Sequence, residues 1–587
     1  IPSSCLARNL PKVMRYKYDI AFLFSLTAIF YAFYFDAVIS KEFTAQRHYA
    51  DRVTEGELIS FPFRNLSQQD VLAYTIKGNF HSTSAQIIDA RFKFDDEILA
   101  INLNGHSVDL DEVKRKYGAQ RLLYTPDGYV IPLALEIGDN IIEVASRDFG
   151  DELIFQIERI LGLTDYLKLS LVVLSLGLLT YGSLTDPTQP ARLRFYLFAS
   201  ISCCFVLLLQ LIKDHPFILD EFYHYIQLAT IKNRGELYEG VTPLPGYHLF
   251  LLAWGVIFDQ FSLSFFRHIN VGIALLSLGA FLFAVRGIDG KYSKEKTLQY
   301  LFFPLLLPHF FLVYTDVLSM GLVLLCMGLL LRERYNLAGL CAIASVLVRQ
   351  NNIIWLVFVG LFVLWSKYRF DLRGMHLATA LKDNVVVLLG GIAFTAFVIV
   401  NGGVAMAVEH AHPSYTLHLS NVYFSLFCVF LLFLPLNIAN AAKVFGLLKN
   451  KRWLLPFCAL GLAYFFFTFE VDYPFNDNRL LARNNLLHYF SASAWRTLCF
   501  GLCVIYAALS IAVTKLHRQE LLLLYPLALL YLMPSWVVEP RYAIAPLLLF
   551  NLFRRPTSPR VEFALTILFI ATSLYIFLGY QTNKFIL

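Results

Sequence analysis

The amino-acid sequence predicts a mostly α-helical protein that crosses a membrane many times and carries one extramembrane β-domain. Three observations support this fold class. Of the 587 residues, 57% are hydrophobic and only 16% are charged. One charged stretch between the first two apolar runs alternates polar and apolar residues. Because soluble domains have roughly 25% charged residues, the composition excludes a soluble globular protein.

Apolar runs near the length of a bilayer span recur along the chain. A helix needs about 20 apolar residues to cross the hydrocarbon core, so we expect roughly fourteen to sixteen crossings, some of them tilted or broken. The runs lie at 20–39, 166–184, 195–212, 247–261, 269–285, 298–314, 317–331, 337–364, 384–400, 419–441, 454–469, 498–513, 521–533, 544–552 and 563–579.

The positive charges indicate topology. Lys and Arg concentrate at 8–17, 443–452, 515–518 and 554–560, and such residues mark cytoplasmic loops. The N-terminus is therefore expected in the cytoplasm, and the segment 40–160 and the later polar loops on the opposite side. The net charge of +6 is then a topology signal, and no nucleic-acid partner is expected.

The number of apolar runs does not place every positively charged loop on the cytoplasmic side. One segment between residues 247 and 365 must therefore be re-entrant, broken or misassigned. The candidates are the proline-bearing run at 304–308 and the polar interruption at 348–352, because irregular backbone at membrane depth is tolerated only against protein or a wet cavity. The sequence leaves the choice between these two segments open.

Three domains follow from this pattern. Residues 1–39 form the cytoplasmic N-terminus and first anchor, 40–160 an inserted extracytoplasmic antiparallel β-sandwich, and 161–587 a multi-span membrane domain. Period-two alternation predicts the strands, and the turn residues Asn104–Gly105 suit a hairpin. The β-domain resembles jelly-roll carbohydrate-binding modules, and a spacer domain without a ligand is the alternative.

The first polar cluster follows the third apolar run and contains Asp220, Glu221 and His224. Ionisable groups at a membrane edge are candidates for function. A carboxylate here could serve as the general base that takes the proton from an incoming hydroxyl. The structural alternative is an interfacial helix with Asp220 as its N-cap.

A second cluster combines Asp316 with the polar island Arg349, Gln350 and Asn351. An arginine among apolar residues needs an anionic partner, which is either Asp316 or a phosphate group. A purely structural Asp316–Arg349 ion pair is the alternative to a substrate-binding role.

Two further clusters lie in later loops. Glu409, His410 and His418 suit sugar contacts or a proton relay, and their spacing does not match a zinc motif such as HExxH. Arginine offers planar, permanently charged donors that suit phosphate, whereas a salt bridge of Arg541 to Glu539 or Asp477 is the alternative. The two arginines that suggest a phosphate contact are Arg479 and Arg541, which lie in the polar stretches that also contain Asp477 and Glu539.

Several motifs occur together in a fixed order. They read DEFYHYIQ, TPLPGYHLF, FFRHINV, VYTDVLSM, VRQNNIIWLVF, TLHL, DNR and EPRY, from residue 220 to residue 542. Over about 195–553 the chain resembles the α-1,2-glucosyltransferases that add the terminal glucose to the dolichol-linked oligosaccharide. These are integral membrane enzymes of the GT-C fold.

The resemblance implies an activity. A hexose, expected to be glucose, moves with inversion from a dolichyl- or polyprenyl-phosphate sugar to a glycan or lipid-linked oligosaccharide acceptor. It implies that Asp220 or Glu221 holds the base, that the lipid phosphate is the leaving group, and that neither a cofactor nor a metal is required. Fixed positive charge from Arg349, Arg479 or Arg541 could stabilise that leaving group.

Two loops depart from the family pattern, at 402–415 and 477–490, which puts the acceptor and the transferred sugar in question. We expect a bacterial inner-membrane enzyme with a periplasmic active site, with the endoplasmic reticulum membrane as the alternative. A transporter or flippase of lipid-linked sugars is the alternative function, because it also combines many spans with buried charges.

Overall fold

The computed structural model describes residues 11–35, 37–50, 52–61, 63–65, 71–94, 97–123, 125, 128–147, 153–185, 190–218, 220–288, 292–369, 377–406, 417–471, 476 and 484–582. The chain divides into two compact units. The first consists of Ile1–Leu219 and Phe577–Lys584, and the second of Asp220–Ile576 and Phe585–Leu587. The domain boundaries at 39 and 160 stay a prediction.

The first unit contains two main antiparallel sheets. The larger has the strand order β2-β1-β5-β11-β7-β8, with β9 also paired to β7, and the smaller has the order β10-β6-β12-β4. A short parallel pair joins β13 to β3. The strands are β1 Val38–His48, β2 Glu57–Leu58, β3 Ser60–Phe61, β4 Phe63–Asn65, β5 Ala73–Ser82, β6 Gln86–Phe94, β7 Glu97–Leu103, β8 His106–Ser107, β9 Leu122–Leu123, β10 Tyr129–Leu135, β11 Gly138–Arg147, β12 Leu153–Arg159 and β13 Phe217–Ile218.

The two main sheets share one apolar core. Alternate residues of each strand point into it, for example Ile76 and Val144 from the larger sheet and Phe92 and Ile131 from the smaller. This is the packing that period-two alternation favours, because successive side chains of a strand face opposite ways. The turn after β7 has Asn104 at φ 53° and Gly105 at φ 80°, the left-handed geometry that favours these residue types.

The helices of the first unit are α1 Pro11–Phe30, α2 Leu110–Tyr117, α3 Leu163–Thr185 and α4 Pro190–Ile212. A wider helical turn at Tyr31–Phe35 continues α1. Phe22 of α1 stacks on Tyr196 of α4 with ring centroids 4.4 Å apart. Helices α1, α3 and α4 therefore form one apolar bundle.

The second unit is helical in its described residues. Its helices are α5 Glu221–Arg234, α6 Gly246–Phe258, α7 Leu263–Ile288, α8 Ser293–Leu301, α9 Asp316–Leu330, α10 Tyr335–Val348, α11 Ile353–Tyr368, α12 Leu377–Asp383, α13 Val385–Asn401, α14 Ser420–Leu432, α15 Leu434–Asn450, α16 Leu454–Thr468, α17 Asn485–Ser491, α18 Ala494–Val513, α19 Leu524–Leu532, α20 Ile544–Phe553 and α21 Pro559–Gln581, whose last turn belongs to the first unit.

The structure has many membrane-spanning candidates. Among the described residues, seven helices are long and apolar enough to cross a membrane, and the pair α14 and α15, bent by 97°, would make an eighth. Six shorter apolar helices accompany them. The protein is thus an integral, multi-pass membrane protein, with fewer full-length spans than the roughly fourteen to sixteen crossings expected from run length.

Two apolar runs are interrupted where polar residues and prolines occur. The run 298–314 is not one helix, because α8 ends at Leu301 and residues 302–315 form buried turns containing Pro304 and Pro308. A second break separates α10 from α11 at residues 349–352. Both candidate segments of the sequence analysis are therefore irregular, and their burial against protein meets the condition for irregular backbone at membrane depth.

Candidate active site

Asp220 lies immediately before α5 and is held by an arginine far away in the sequence. Its Oδ2 accepts a hydrogen bond from Arg541 Nη2 at 2.5 Å. The Asp220 side chain remains 19% exposed and that of Arg541 13% exposed. Asp220 makes no side-chain hydrogen bond to the start of α5, so the N-cap alternative does not explain this carboxylate.

Arg541 joins Asp220 to a second carboxylate. Its Nε donates to Glu539, whose side chain is only 4% exposed. The cluster of Asp220, Glu539 and Arg541 therefore has two formal negative charges and one positive charge. The ion pair of Arg541 with Glu539 that the sequence left open is present, and the pair with Asp220 was not foreseen.

Asparagine side chains hold the segment 535–539 that leads to Arg541. Asn421 Nδ2 donates to the carbonyl oxygens of Ser535 and Val537 at 2.7 and 2.8 Å. Asn476 accepts from the Val538 N–H at 3.0 Å, and Asn484 donates to the Val538 carbonyl at 3.4 Å. These bonds satisfy the backbone of a segment without regular structure, and they fix the position from which Arg541 reaches Asp220.

Glu221 has a different environment from its neighbour. Its two oxygens accept hydrogen bonds from Arg267 Nη2 at 2.5 Å and Nε at 3.0 Å, and Oε1 also accepts from the Val313 N–H at 2.9 Å. The side chains of Glu221 and Arg267 are both fully buried. This pair ties α5 to α7 and to the irregular segment 302–315.

His224 lies one turn beyond Asp220 in α5 and belongs to a buried aromatic group. Its Nδ1 is 3.0 Å from Nε2 of His248, and its ring centre is 5.5 Å from that of Tyr314. Desolvation by burial lowers the pKa of His224 to about 4. The imidazole is therefore neutral near pH 7, so it can exchange a hydrogen bond but supplies no positive charge for a phosphate.

The second predicted cluster is also brought together. Arg349 forms an ion pair with Asp316, so the carboxylate is its partner here. Gln350 accepts from the Leu244 N–H at 3.3 Å and donates to the Thr242 carbonyl at 2.7 Å, which holds the loop before α6. Asn351 hydrogen-bonds Tyr531.

Tyr314 connects the two clusters. The Arg541 guanidinium lies 5.7 Å from the centre of the Tyr314 ring, and His224 and His309 contact the same ring with centroids 5.5 and 5.1 Å away. The buried Tyr314 ring therefore contacts Arg541 of the first cluster, and Asp316, which pairs with Arg349, follows Tyr314 by two residues.

Other predicted residues lie outside this group or outside the described residues. His418 stacks on Trp536 with ring centroids 5.2 Å apart, and its Nδ1 is 3.6 Å from Glu470 Oε2. It thus borders the segment 535–539. Glu409, His410, Asp477 and Arg479 lie outside the described residues, so their predicted roles stay predictions.

Three residues of the site were not predicted from the sequence: Arg267, His248 and Asn421. Arg267 had a usable signal, because it is a charged residue within the candidate span Leu263–Ile288, where ionisable groups need a partner. His248 and Asn421 follow loops and open apolar helices, and nothing local distinguishes them from ordinary interfacial residues.

Comparison with known proteins connects this geometry to a family. The sequence pattern of the DIE2/ALG10 family matches residues 213–384 and 369–552, which together span more than half of the chain. The site residues Asp220, Asp316, Arg349 and Arg541 all lie within this stretch. The resemblance drawn from the ordered motifs is confirmed.

Individual relatives carry one shared name, Dol-P-Glc:Glc(2)Man(9)GlcNAc(2)-PP-Dol alpha-1,2-glucosyltransferase. A relative from Debaryomyces hansenii is 25% identical over 393 residues, or 60% of this chain and 85% of the relative. One from Candida albicans is 28% identical over 280 residues, or 44% and 62%. One from Homo sapiens is 24% identical over 436 residues, or 61% and 89%. With the family pattern matched over the whole of the site, this chain belongs to the DIE2/ALG10 family.

Proposed function

We propose that this protein is a membrane hexosyltransferase that moves glucose from dolichyl-phosphate glucose, or a polyprenyl-phosphate relative, to a lipid-linked oligosaccharide or similar glycan acceptor. The relatives' shared name gives this donor and this class of acceptor. The single observation that carries the proposal is the partly exposed Asp220 carboxylate, held by Arg541 beside a buried polar group. The names favour a transferase over a transporter or flippase.

Asp220 is the proposed general base. It accepts the proton of the acceptor hydroxyl while the acceptor oxygen bonds to the anomeric carbon. The bond from that carbon to the phosphate oxygen breaks, and the lipid phosphate leaves with the electron pair. Attack from the face opposite the phosphate inverts the configuration at the anomeric carbon. A base of this kind must lie within hydrogen-bond reach of the proton it takes, and of the two adjacent carboxylates only Asp220 is exposed.

Glu221 is proposed to position the site and not to react. Its hydrogen bonds to Arg267 and to the Val313 N–H join α5 to the segment that presents Tyr314. This ion pair fixes the start of α5, which Asp220 immediately precedes.

Positive charge near the leaving phosphate is proposed to come from arginines alone. Arg541 and Arg349 are each paired with a carboxylate, so a phosphate would have to share them. Arg479 is a third candidate. We propose that no metal takes part, and unchanged transfer in the presence of EDTA tests this.

The GT-C architecture for 161–587 and the β-sandwich for 40–160 are part of the same proposal. The two sheets facing one core support the sandwich. Carbohydrate binding is the role proposed for this domain, and a spacer role without a ligand is the alternative. The relatives named come from yeasts and human, which favours the endoplasmic reticulum membrane over the bacterial inner membrane.

The test is a transfer assay with purified full-length protein in detergent. Synthetic dolichyl-phosphate glucose carrying radiolabelled glucose is the donor, and an extracted lipid-linked oligosaccharide is the acceptor. We expect label to enter the acceptor through an α-linkage, and lipid phosphate to be released in equal amount. A protein that moves the intact lipid-linked sugar between leaflets of a vesicle without releasing phosphate would overturn the proposal.

A further inference from the structure

One end of the two main sheets in the first unit exposes a group of apolar side chains. We call this group the proximal edge, and it consists of Ala85, Ile87, Ala134 and Ile137. All four residues are exposed, Ile87 at 73% and Ile137 at 74%. They lie at one end because Ile87 pairs with Ala134 in the neighbouring strands β6 and β10, and Ile137 lies in the turn that joins β10 to β11.

The proximal edge is tied to the end of the first candidate span, Tyr18–Phe35. Thr83, in the turn between β5 and β6, donates through Oγ1 to the Phe35 carbonyl at 2.8 Å and accepts from the Ala37 N–H at 3.0 Å. The Thr83 N–H donates to the Ala37 carbonyl at 3.1 Å. The turn that leads to Ile87 is therefore fixed to the backbone where this span ends.

Two further spans have an end near the proximal edge. Strand β12 ends at Arg159, which pairs with Ala90 of β6, and the span Leu163–Thr185 begins four residues later. Because the two strands are antiparallel, Ile87, three residues before Ala90, lies toward the start of this span. The Arg159 N–H also donates at 2.9 Å to the carbonyl of Thr582, the residue after the last candidate span. The proximal edge is therefore at the level where three spans reach the membrane surface.

The first span ends in exposed aromatic residues. Tyr31, Tyr34 and Phe35 are 43%, 52% and 57% exposed, and tyrosines are enriched where a span meets the membrane–water interface. The proximal edge continues this apolar surface onto the sheets. The lipid that surrounds the span is therefore the partner that fits the edge.

The charges beside the proximal edge do not suit anionic headgroups. The charged residues closest along the chain to Ile87 and Ile137 are acidic, namely Asp89, Glu136 and Asp139. Attraction between these carboxylates and anionic lipids is not expected. A contact with lipid at this edge would depend on the burial of apolar area, which is favourable whatever the headgroup charge.

We propose that the proximal edge inserts into the surface of the bilayer, with Ile87 and Ile137 below the headgroups, so that the two sheets of the first unit rest on the membrane. Single exposed isoleucines are ordinary on a protein surface. These two differ because hydrogen bonds and strand pairing hold them at the ends of membrane spans. The contact with lipid can be measured directly, without a transfer assay.

The first experiment uses purified full-length protein in dioleoylphosphatidylcholine nanodiscs. The photoreactive residue p-benzoyl-phenylalanine is placed at position 87, 137 or 99, and lipid adducts are counted by peptide mass spectrometry after irradiation. Leu99 is the matched control, because it is 44% exposed and follows Ile98, which pairs with Ser146. Ser146 lies roughly 27 Å along β11 from Gly138 at about 3.4 Å per residue. We expect about tenfold more lipid adducts at 87 and 137 than at 99, since burial of an isoleucine favours lipid over water by at least this factor.

Three results would overturn the proposal. Adducts to other peptides in place of lipid at positions 87 and 137 would show that protein covers the edge. Equal lipid adducts at all three positions would show that the edge has no preference for the bilayer. A higher yield after phosphatidylglycerol is added would show attraction to anionic headgroups instead of insertion.

A second experiment avoids the bulky apolar probe. Ile137→Cys and Leu99→Cys are treated in the same nanodiscs with a charged maleimide that does not enter lipid, and peptide mass spectrometry separates each new thiol from the native cysteines. We expect Leu99→Cys to react about tenfold faster, because the thiol at 137 is shielded by lipid. Equal reaction rates in the two folded variants would show that position 137 lies in water, and the proposal would be wrong.

Discussion

Two carboxylates adjacent in the sequence have opposite environments. Glu221 is fully buried, and both of its oxygens accept hydrogen bonds, two from Arg267 and one from the Val313 N–H. Asp220 is 19% exposed and bonds to Arg541 through Oδ2. In the sequence they form one acidic pair. In the structure Asp220 is exposed enough to contact a substrate, whereas Glu221 is not.

The difference predicts different consequences of mutation. Breaking a buried ion pair leaves an uncompensated charge and mainly costs stability. Removing a catalytic base mainly costs rate. The comparison between Asp220 and Glu221 can therefore be tested by measuring stability and transfer rate separately in matched variants.

The largest effect is expected for Asp220→Asn. The amide keeps the size of the side chain but cannot accept the acceptor's proton, so transfer should fall by about 10²- to 10⁴-fold. The thermal midpoint should change little, because Arg541 keeps its bond to Glu539. Asp259→Asn is the control, since Asp259 has φ 49° and asparagine tolerates this conformation. Wild-type rates in Asp220→Asn would exclude Asp220 as the base.

Glu221→Gln should act on stability. It leaves the Arg267 guanidinium buried without its counter-charge, which costs about 3–5 kcal/mol, and thermal unfolding in detergent should show a lower midpoint and yield. The double variant Glu221→Gln with Arg267→Met should recover part of the loss, because neither charge is then left alone. If Glu221→Gln keeps its midpoint and loses only rate, the roles assigned to the two carboxylates are reversed.

Asn421→Ala tests how Arg541, and through it Asp220, is positioned. The change removes three hydrogen bonds to the segment 535–539, two to the carbonyls of Ser535 and Val537 and one from the Glu539 N–H. Each buried group left unpaired costs about 1–3 kcal/mol. With Arg541 less well placed, kcat should fall about tenfold and KM should change less.

Asn437→Ala is the matched control for this variant. Asn437 is also buried and donates to two carbonyls, of Val429 at 2.9 Å and Phe430 at 3.0 Å, at the bend between α14 and α15. We expect a similar loss of stability but a normal kcat. Equal kcat in both variants would mean that Asn421 has only a structural role.

The sequence was sufficient for the parts of the structure that depend on local patterns. Apolar runs located the candidate membrane spans but overestimated the number of full-length crossings, and period-two alternation matched strands such as β10 and β11. The breaks near Pro304 and Arg349 were also foreseen, since prolines and polar residues interrupt apolar helices. These features follow from neighbours along the chain.

Long-range pairing could not be predicted in the same way. Asp220 and Arg541 are separated by 321 residues, and Glu221 and Arg267 by 46. No local pattern says which arginine meets which carboxylate, or that adjacent side chains differ in burial. The residues alone therefore indicated which charged groups to consider, and they left the base undecided between Asp220 and Glu221.

A third ion pair, in the β-sheets, is expected to give the smallest effect of mutation. It serves as a reference for the ion pairs of Asp220 and Glu221. Glu97 accepts a hydrogen bond from Arg121 Nε at 2.6 Å, and its side chain is 8% exposed whereas that of Arg121 is 49% exposed. This hydrogen bond, opposed by desolvation, holds the pKa of Glu97 below its usual value. The stabilisation is thus fully present above the ordinary carboxyl pKa and is lost as the pH falls through the lowered pKa of the folded state.

Glu97→Gln should remove this part of the acid sensitivity. Thermal midpoints of the wild type and the variant should differ slightly at pH 7 and converge as the pH falls through the lowered pKa of Glu97, because the wild-type carboxyl then becomes neutral as well. Water around Arg121 screens the charge that Glu97 leaves behind, so the loss at pH 7 should be well below that of Glu221→Gln. If the two variants lose equal stability at pH 7, burial of the partner arginine does not determine the cost of losing a carboxylate, and the different roles assigned to Asp220 and Glu221 lose their physical basis.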